Sequence, residues 1–252
     1  FYWILKTAYG QSMLRVISEE EKRGIIEQIL HTMELSYENK EEIVSSIVSQ
    51  VSLVKCDMMD VENYYSKDMP EHAFRELYRR LDAEFDDMMV LCYELLTARP
   101  DILDKCRSLF PYIMVDEFQD SNRIQYEIFR MLANPRQNAC IVGDDDQSVY
   151  GFRGARPEIM QQFRKDFSSC EIVYLGENYR SDYRIVQAAT QVIEKNQTRY
   201  KKQLKAVSKE PGIVQMHTVK DEAEENECII RRIREQYQAG IAYEKQAVLY
   251  RT

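Results

Sequence analysis

The distribution of glycine constrains the fold of this chain more than any other feature of its sequence. Only 8 of the 252 residues are glycine, and none lies between Gly24 and Gly143. Because that stretch is rich in Glu, Lys, Leu, Met and Arg, which favour helices, it predicts a mostly helical region. Three glycines then fall within 143–154. Such a cluster indicates a loop where the backbone turns tightly or closely approaches a ligand.

Four amphipathic helices are predicted in the first hundred residues. Ser18 and Glu21 have the spacing of a capping box ahead of a first helix. Apolar side chains recur every three to four residues over 39–53 and 84–97. A third helix, in chain order, is predicted over 71–80, where Pro70 suits the helix start.

From residue 111 the pattern changes to alternating strands and helices. Short apolar runs predict strands, and the segments between them predict helices. This alternation is typical of βαβ units and a parallel sheet, so the fold class is predicted to be α/β. The predicted strands are 112–115, 139–142, 171–175, 213–219 and 246–251, and the predicted helices are 122–132, 157–166, 182–195 and 221–239.

Composition excludes several classes of protein. With 44% hydrophobic and 30% charged residues the chain can build a core, so wholesale disorder is excluded. The longest uncharged apolar stretch, 88–93, is far shorter than the roughly 18–20 residues of a membrane helix. Six scattered cysteines without a Cys-x-x-Cys pair argue against a zinc site or a disulfide scaffold, and indicate a reduced, intracellular compartment.

Charge is distributed unevenly along the chain. The net charge is −8, yet residues 151–205 hold 11 basic against 6 acidic side chains. A local basic stretch in an acidic chain marks where nucleic acid could bind. The chain opens like the inside of a helix, with Phe-Tyr-Trp-Ile-Leu-Lys, and closes like an interrupted strand, with Ala-Val-Leu-Tyr-Arg-Thr. We therefore expect it to be part of a longer protein.

The first motif is Val115-Asp-Glu-Phe-Gln-Asp120, at the end of a predicted buried strand. In open α/β sheets, ligands bind at the carboxyl ends of strands. One or two carboxylates suffice to hold Mg²⁺ on a nucleotide, and a neighbouring carboxylate can orient or deprotonate a water. Taken alone, Asp116 and Glu117 fit equally well an acidic turn in which Asp120 or Ser121 caps the next helix.

The second motif is Gly-Asp-Asp-Asp-Gln-Ser-Val-Tyr-Gly-Phe-Arg-Gly-Ala over 143–155. It begins one βα unit after the first motif, so we expect the two to be neighbours. Consecutive aspartates at a buried strand end are costly without a cation. The Gln147 amide can contact a phosphate or a water, and Tyr150, Phe152 and Arg153 form a set that can stack on bases. The alternative is a solvated acidic loop followed by ordinary core aromatics.

The third motif is Leu-Gly-Glu-Asn-Tyr-Arg-Ser over 175–181. An arginine beside a tyrosine at a strand end suits phosphate contact next to a stacked ring, which here points to Tyr179 and Arg180. Alone the signal is weak, because a helix start at Ser181 or Asp182 explains much of it.

Together and in this order, the three motifs resemble motifs II, III and IV of the UvrD/Rep/PcrA-like family of superfamily 1 ATP-dependent DNA helicases. The first motif is similar to that family's Walker B element. Weaker similarity is found at Glu84-Phe-Asp-Asp87 and at Ala247–Thr252. The resemblance covers about 84–252, while over 16–83 it rests on position and helical character.

The resemblance implies roles in ATP hydrolysis for individual residues. Asp116 would hold Mg²⁺, and Glu117 would be the base for the hydrolytic water. Gln147 would sense the γ-phosphate and couple it to DNA. Tyr179 would stack on adenine, and Arg180 would act as an arginine finger.

The resemblance likewise implies contacts with single-stranded DNA by Tyr150, Phe152 and Arg153. Phe152 stands where tryptophan is frequent in the family, which keeps an aromatic ring at the position. Gly151 and Asp146 lie at positions that vary within the family.

The fold implied by the resemblance consists of parts of two RecA-like P-loop NTPase domains with parallel sheets, plus an all-helical inserted subdomain. Residues 1–15 and 84–176 would belong to the first RecA-like domain, 16–83 to the inserted subdomain, and 177–252 to the beginning of the second domain. No Gly-x-x-x-x-Gly-Lys-[Ser/Thr] sequence occurs in the 252 residues. The chain alone is therefore expected to hydrolyse negligible ATP.

The predicted function is that of an internal part of an ATP-dependent DNA helicase or translocase, with a place in DNA repair. It would couple Mg²⁺-ATP hydrolysis to movement on single-stranded DNA and to duplex unwinding, in the cytoplasm near the nucleoid and without a membrane. One alternative is the helicase subunit of a RecB/AddA-type helicase–nuclease. A second is a non-catalytic DNA-binding module. A two-carboxylate metal nuclease fits less well, because no further matched ligand accompanies Asp116 and Glu117.

Overall fold

The chain folds into two compact units in a computed structural model. The structure describes residues 1–9, 18–33, 35, 37, 39–81, 85–151, 154–196 and 199–250. The first unit comprises residues 1–173 together with 198–201, and the second comprises 174–197 and 202–252. Among the described helices, none is both long and apolar enough to span a membrane.

Ten helices and four short strands form the described secondary structure, with strands pairing in parallel in each unit. The chain is thus α/β with small parallel sheets, as predicted. In the first unit the elements are α1 (Tyr2–Tyr9), α2 (Glu19–Thr32), α3 (Lys40–Cys56), α4 (Glu71–Arg80), α5 (Phe85–Ala98), α6 (Pro100–Leu109), β1 (Ile113–Val115), α7 (Arg123–Ala133), β2 (Ala139–Ile141) and α8 (Glu158–Asp166). In the second unit they are β3 (Glu177–Asn178), α9 (Tyr183–Ile193), β4 (Lys205–Ala206) and α10 (Glu222–Gln238).

The glycine-poor region is helical, as its composition predicts. Every regular element described within 18–81 is a helix, and Ser18 and Glu21 form the predicted capping box at the start of α2. Helices α2, α3 and α4 enclose a core that includes Ile26, Ile47 and Phe74, all fully buried. This core arises because each of the three helices carries an apolar face that the other two help to cover.

A second helical core lies between α1, α5, α6 and α7. Its most buried members include Leu5, Cys92 and Leu96. Burial raises the pKa of the Cys92 thiol to about 11, so this cysteine stays protonated at neutral pH and packs as a small apolar side chain. Helix α5 ends at Ala98, and Pro100 begins α6, where a proline without an N–H is tolerated.

Strands β1 and β2 pair in parallel, with Ile113 opposite Ala139 and Val115 opposite Ile141. Both strands lie where the sequence predicts them. An aromatic cluster from α7 and α8 packs beneath this sheet, and its rings include Phe129, Phe163 and Phe167. Phe163 and Phe167 stack with their centroids 4.4 Å apart. Because the cluster is rigid and buried, it gives the loops that follow both strands a fixed base.

The predicted strands at 171–175, 213–219 and 246–251 are wrong over their described residues. None of them forms a ladder, and the second unit instead pairs β3 with β4, each two residues long. The apolar side chains of these segments are exposed to solvent, as Met216 and Leu249 illustrate, so no strand in the described part of the chain covers them. An apolar run forms a strand only when a neighbouring strand supplies hydrogen bonds and a face to cover.

Helix capping after the first motif also differs from the prediction. Neither Asp120 nor Ser121 caps α7. Asn122 does, through a capping box with Gln125. Asp120 belongs to a 3₁₀ turn that directly follows Glu117, and this turn delays the start of the helix. Helices α7 to α10 otherwise lie where the alternating pattern predicts them.

Candidate active site

The acidic pair Asp116–Glu117 leaves the end of β1 in a strained conformation. Both side chains are exposed, and the Glu117 N–H donates to Asp116 Oδ1 over 2.9 Å. Glu117 has φ 49° and ψ 42°, the left-handed region, which costs a non-glycine residue about 1–2 kcal/mol. Immediately afterwards Phe118, only 1% exposed, inserts into the aromatic cluster. Burial of Phe118 thus holds the two carboxylates outward, and such strain is typical of functional positions.

Gln119 joins the first motif to the second. Its side chain is 2% exposed, and its Nε2 donates to Glu117 Oε2 over 2.7 Å. Its Oε1 accepts from the Asp144 N–H at 2.9 Å, and its backbone carbonyl accepts from the Ser148 hydroxyl. The expectation that the two motifs are neighbours is therefore confirmed. Gln119 was not among the predicted site residues, because an amide in this position gives no signal in the sequence until Asp144, 25 positions away, is placed beside it.

Gly143 permits this close approach of the two loops. A Cβ at this position would lie 2.6 Å from Gln119 Oε1 and 3.1 Å from the Phe118 backbone nitrogen. The first distance is shorter than a Cβ tolerates, the second is tighter than most Cβ contacts, and both neighbours are held in place by burial. Glycine is required at 143 for lack of space. The sequence predicts a tight turn or a close approach to a ligand at these glycines, whereas the close neighbour of Gly143 is another loop of the same chain.

The acidic loop, residues 144–147, turns directly above this junction. Asp144 accepts from the Asp146 N–H at 3.1 Å and so caps the 3₁₀ turn Asp145–Gln147. The exposed Gln147 side chain donates from Nε2 to Asp144 Oδ2 over 2.7 Å. Carboxylate oxygens of the three aspartates lie within 4.8 Å of one another. Gln147 is thus connected to Glu117 by three successive hydrogen bonds, through Asp144 and Gln119.

Asp120 closes the first motif with a partly desolvated carboxylate. Its Oδ1 is buried and lacks a hydrogen-bond partner among the described residues. Burial, followed by the negative charge of Glu117, raises the pKa of Asp120 above its usual value. Glu117 therefore has an acidic neighbour in Asp120 and a neutral amide neighbour in Gln119.

The aromatic half of the second motif is anchored to the helical region. Tyr150 is 40% exposed, and Gly154, with φ +81°, passes so close to α3 that a Cβ would lie 3.3 Å from Cys56 Cβ. Arg156 then forms an ion pair with Asp57, whose side chain is almost completely buried. Phe152 and Arg153, the other two predicted DNA contacts, lie outside the described residues.

The third motif lies in the second unit, where β3 pairs with β4 and the turn that follows it is closed by contacts within the motif. Asn178 Oδ1 accepts from the Arg180 and Ser181 N–H groups at 3.1 and 2.8 Å. Tyr179 is 74% exposed, and its hydroxyl donates to Glu177, which raises the pKa of the Tyr179 phenol. Arg180 is also exposed. Tyr179 and Arg180 thus share one turn, while the structure groups Asp116, Glu117, Gln147 and Tyr150 in the first unit.

Comparisons with known proteins find two family models that match along the chain. The family described as UvrD/REP helicase N-terminal domain matches residues 4–168, and the UvrD-like helicase C-terminal domain matches residues 173–252. The first of these matches alone covers more than half of the chain.

Named relatives are similar over most of this chain. A putative ATP-dependent DNA helicase, YjcD of Bacillus subtilis, is 38% identical over 251 residues, which cover 96% of this chain and 32% of the relative. The ATP-dependent DNA helicase PcrA of Staphylococcus epidermidis, like that of Staphylococcus aureus, is 36% identical over 178 residues, 71% of this chain and 24% of the relative. The chain spans a third or less of the length of these relatives. It belongs to the UvrD/REP helicase family.

Proposed function

We propose that this chain is the middle part of an ATP-dependent DNA helicase, in which it forms one wall of the ATP-hydrolysis site and part of the track for single-stranded DNA. The observation that carries the proposal is the Gln119 bridge between Glu117 and Asp144. It links an exposed carboxylate pair to the loop of Gln147, so a shift of the Glu117 side chain displaces that loop and the reverse. Relatives that are named ATP-dependent DNA helicases support the same interpretation.

The acidic pair provides the groups that Mg²⁺-ATP hydrolysis requires. Asp116 is an exposed carboxylate at the carboxyl end of β1, and Mg²⁺ needs only one or two such oxygens beside phosphate and water. Asp116 would hold the ion, which neutralises developing phosphate charge when bound. Glu117, oriented by Gln119, accepts the proton of the attacking water as general base.

The remaining site residues are assigned by motif. Gln147 contacts the γ-phosphate, Tyr179 stacks on adenine, and Arg180 stabilises the charge of the transferring phosphoryl group. Tyr150, Phe152 and Arg153 contact single-stranded DNA by stacking and cation–π interaction. The exposure of Tyr150 and Tyr179 supports these roles, because a stacking ring needs an open face.

In architecture, the proposal assigns residues 1–15 and 84–176 to one RecA-like domain, 16–83 to a helical insertion and 177–252 to the start of a second RecA-like domain. The three-helix core of α2, α3 and α4 supports an insertion that folds around its own centre. The phosphate-binding P-loop must then come from outside these 252 residues, since they contain no such sequence. The full-length protein acts on single-stranded and duplex DNA in the cytoplasm, near the nucleoid.

The test is DNA-stimulated ATP hydrolysis by the full-length protein with Glu117→Gln. Loss of the base should lower kcat by roughly 10²–10⁴-fold while ATP still binds. Glu94→Gln, at an exposed position of α5, is the matched control and should retain wild-type turnover. Equal kcat in the wild type and Glu117→Gln would exclude the proposed role of the acidic pair.

Coupling to DNA is tested separately. Gln147→Ala should reduce DNA stimulation of hydrolysis more than it reduces ATP affinity, because only a contact that differs between nucleotide states can couple two sites. Phe152→Ala should weaken single-stranded DNA binding by about 1–3 kcal/mol, the value of one lost stack, with basal hydrolysis nearly intact. A large drop in melting temperature with unchanged DNA affinity would instead identify Phe152 as a core residue.

A further inference from the structure

We propose that Arg199 and Tyr200 are positioning residues that hold the acidic loop, and with it Gln147, in a fixed arrangement. The proposal rests on the proposed function for its effect on catalysis, but its structural content stands independently. Neither residue belongs to any of the three motifs. Residues 199–201 lie in the first unit, although the chain on either side of them lies in the second.

Arg199 binds Asp146 with two parallel hydrogen bonds. Its Nε donates to Asp146 Oδ1 over 2.7 Å, and its Nη2 donates to Oδ2 over 2.5 Å. Both side chains are only 11% exposed. A two-pronged guanidinium–carboxylate pair fixes orientation as well as distance, and low exposure protects the pair from screening by salt.

Tyr200 holds the neighbouring aspartate and a second element of the fold. Its backbone N–H donates to Asp145 Oδ2 over 2.6 Å, and its phenol donates to the Met160 carbonyl of α8 over 3.2 Å. Adjacent residues of one segment therefore bind adjacent residues of the acidic loop. The phenol secures that segment to a helix anchored in the aromatic cluster.

These contacts offset the negative charge of the three consecutive aspartates. Asp146 receives the guanidinium, Asp145 receives a backbone N–H, and Asp144 receives the Asp146 N–H and the Gln147 amide. Each carboxylate has a protein donor. The positive charge that the sequence predicts beside these aspartates is supplied, at least in part, by Arg199.

The position of Gln147 depends on these contacts because Gln147 shares one 3₁₀ turn with both anchored aspartates. Fixing Asp145 and Asp146 leaves the turn little freedom, so Gln147 is presented in one place relative to Glu117. A misplacement of about 1 Å at a reacting centre can cost on the order of 100-fold in rate, so an anchor of this kind affects turnover without touching the nucleotide.

Amide hydrogen exchange on the 252-residue chain tests the structural part. Arg199→Ala should raise exchange at the Asp146 and Gln147 amides by roughly tenfold or more, since both amides are hydrogen-bonded inside the anchored turn. Arg99→Ala is the matched control, because Arg99 forms the same two-pronged pair with Asp101 on an exposed surface. It should leave the loop unchanged.

Arg199→Lys retains the charge but not the planar fork, and it serves if the alanine variant does not fold. It should leave Asp146 and Gln147 less protected than in the wild type, because an ammonium cannot bind both oxygens in the same geometry. Wild-type protection of these amides in a folded Arg199→Ala or Arg199→Lys chain overturns the proposal. So does a loss of protection spread evenly over the first unit.

In the full-length protein, Arg199→Ala should lower kcat for DNA-stimulated ATP hydrolysis by on the order of 10-fold to 100-fold, with KM for ATP changed by less than about threefold. Combining it with Asp146→Ala should lower kcat no further than the worse single variant, because the two side chains act as one unit. A raised KM with unchanged kcat contradicts a positioning role. A wild-type protein without DNA-stimulated hydrolysis would refute the proposed function, while the exchange experiment would still decide whether the loop is anchored.

Discussion

The site loops of the first unit and the third motif of the second unit are held in opposite ways. In the first, Phe118 and Gln119 are buried, and hydrogen bonds cross between residues distant in sequence, as from Asp144 to Gln119. In the second, β3 pairs with β4, but the described hydrogen bonds of Tyr179 and Arg180 go to Glu177 and Asn178 of the same motif, and both side chains are exposed.

The difference shows that the proposed site residues of the first unit are more strongly preorganised than those of the third motif. The loops of the first unit have their geometry built into a core, so their shape is fixed before any ligand arrives. The turn of the third motif fixes its backbone, while its two functional side chains, Tyr179 and Arg180, remain exposed to solvent. Substitutions at the buried position Gln119 of the first unit should therefore disturb stability and chemistry together, whereas those at Tyr179 and Arg180 should disturb chemistry alone.

The largest effect is expected from Arg180→Ala. In the full-length protein, loss of an arginine finger should reduce ATP turnover by roughly 10³–10⁵-fold. Because Arg180 is exposed, the unfolding free energy of the 252-residue chain should change by less than about 0.5 kcal/mol. Arg184→Ala, at an exposed position of α9, is the control for both measurements. A marked loss of stability in Arg180→Ala would contradict the conclusion that the third motif affects chemistry alone.

Gln119→Leu should damage both properties at once. It removes the partners of Glu117 Oε2 and of the Asp144 N–H from a buried position. Water can replace the lost partner of the exposed Glu117 carboxylate, but leaving the part-buried Asp144 N–H unpaired costs about 1–3 kcal/mol, so urea unfolding should report a loss within that range. Gln162→Leu, on the exposed face of α8, should stay within about 0.5 kcal/mol of the wild type. If Gln119→Leu retained wild-type stability but lost ATP turnover, Gln119 would act in the chemistry alone and the prediction would be wrong.

Gly143→Ala tests whether the close approach of the two loops is essential. The added methyl group has no space beside Gln119 Oε1 and the Phe118 backbone, so we expect a destabilisation of about 1–3 kcal/mol. Gly24→Ala provides a contrast of opposite sign. A Cβ at Gly24, inside α2, would meet no atom within 4 Å, and alanine there should stabilise by about 0.5–1 kcal/mol. Similar melting temperatures for the two variants would contradict the packing argument.

Asp120→Asn should give the smallest effect, and the size of this effect depends on pH. Burial and Glu117 raise the pKa of folded Asp120 above the unfolded value of 3.8, so the ionised carboxylate destabilises the folded chain at neutral pH. Asparagine should therefore stabilise by less than about 1 kcal/mol near pH 7, and this gain should vanish as the pH falls to about 3.8. A gain that grows on acidification would refute the assignment.

Much of the first unit could be predicted from sequence, because its signals are local. The capping box at Ser18, the helical spacing of α3 and the apolar runs of β1 and β2 each fix an element without reference to the rest of the chain. The roles of Asp116, Glu117 and Gln147 follow from motif resemblance and stay predictions.

What could not be predicted depends on partners distant in sequence. Gln119 resembles any polar residue until Asp144 is placed beside it, and Arg199 gives no signal until Asp146 faces it across 53 positions. The failed strands of the second half of the chain have the same cause. Val173 and Ile213 have the right composition, but their segments find no neighbouring strand among the described residues.

The burial of Phe118 affects how mutational scans of this protein should be interpreted. Phe118 stands between a carboxylate pair and a bridging amide, yet its ring packs against Tyr126, Phe129 and Phe163 with centroids 5.8–6.2 Å away. A saturation library scored only by growth or activity would rank position 118 with its neighbours and label it part of the chemistry. Scoring cellular abundance in parallel would separate them: Phe118 variants should disappear from the cell, and Glu117 variants should accumulate as intact, silent protein.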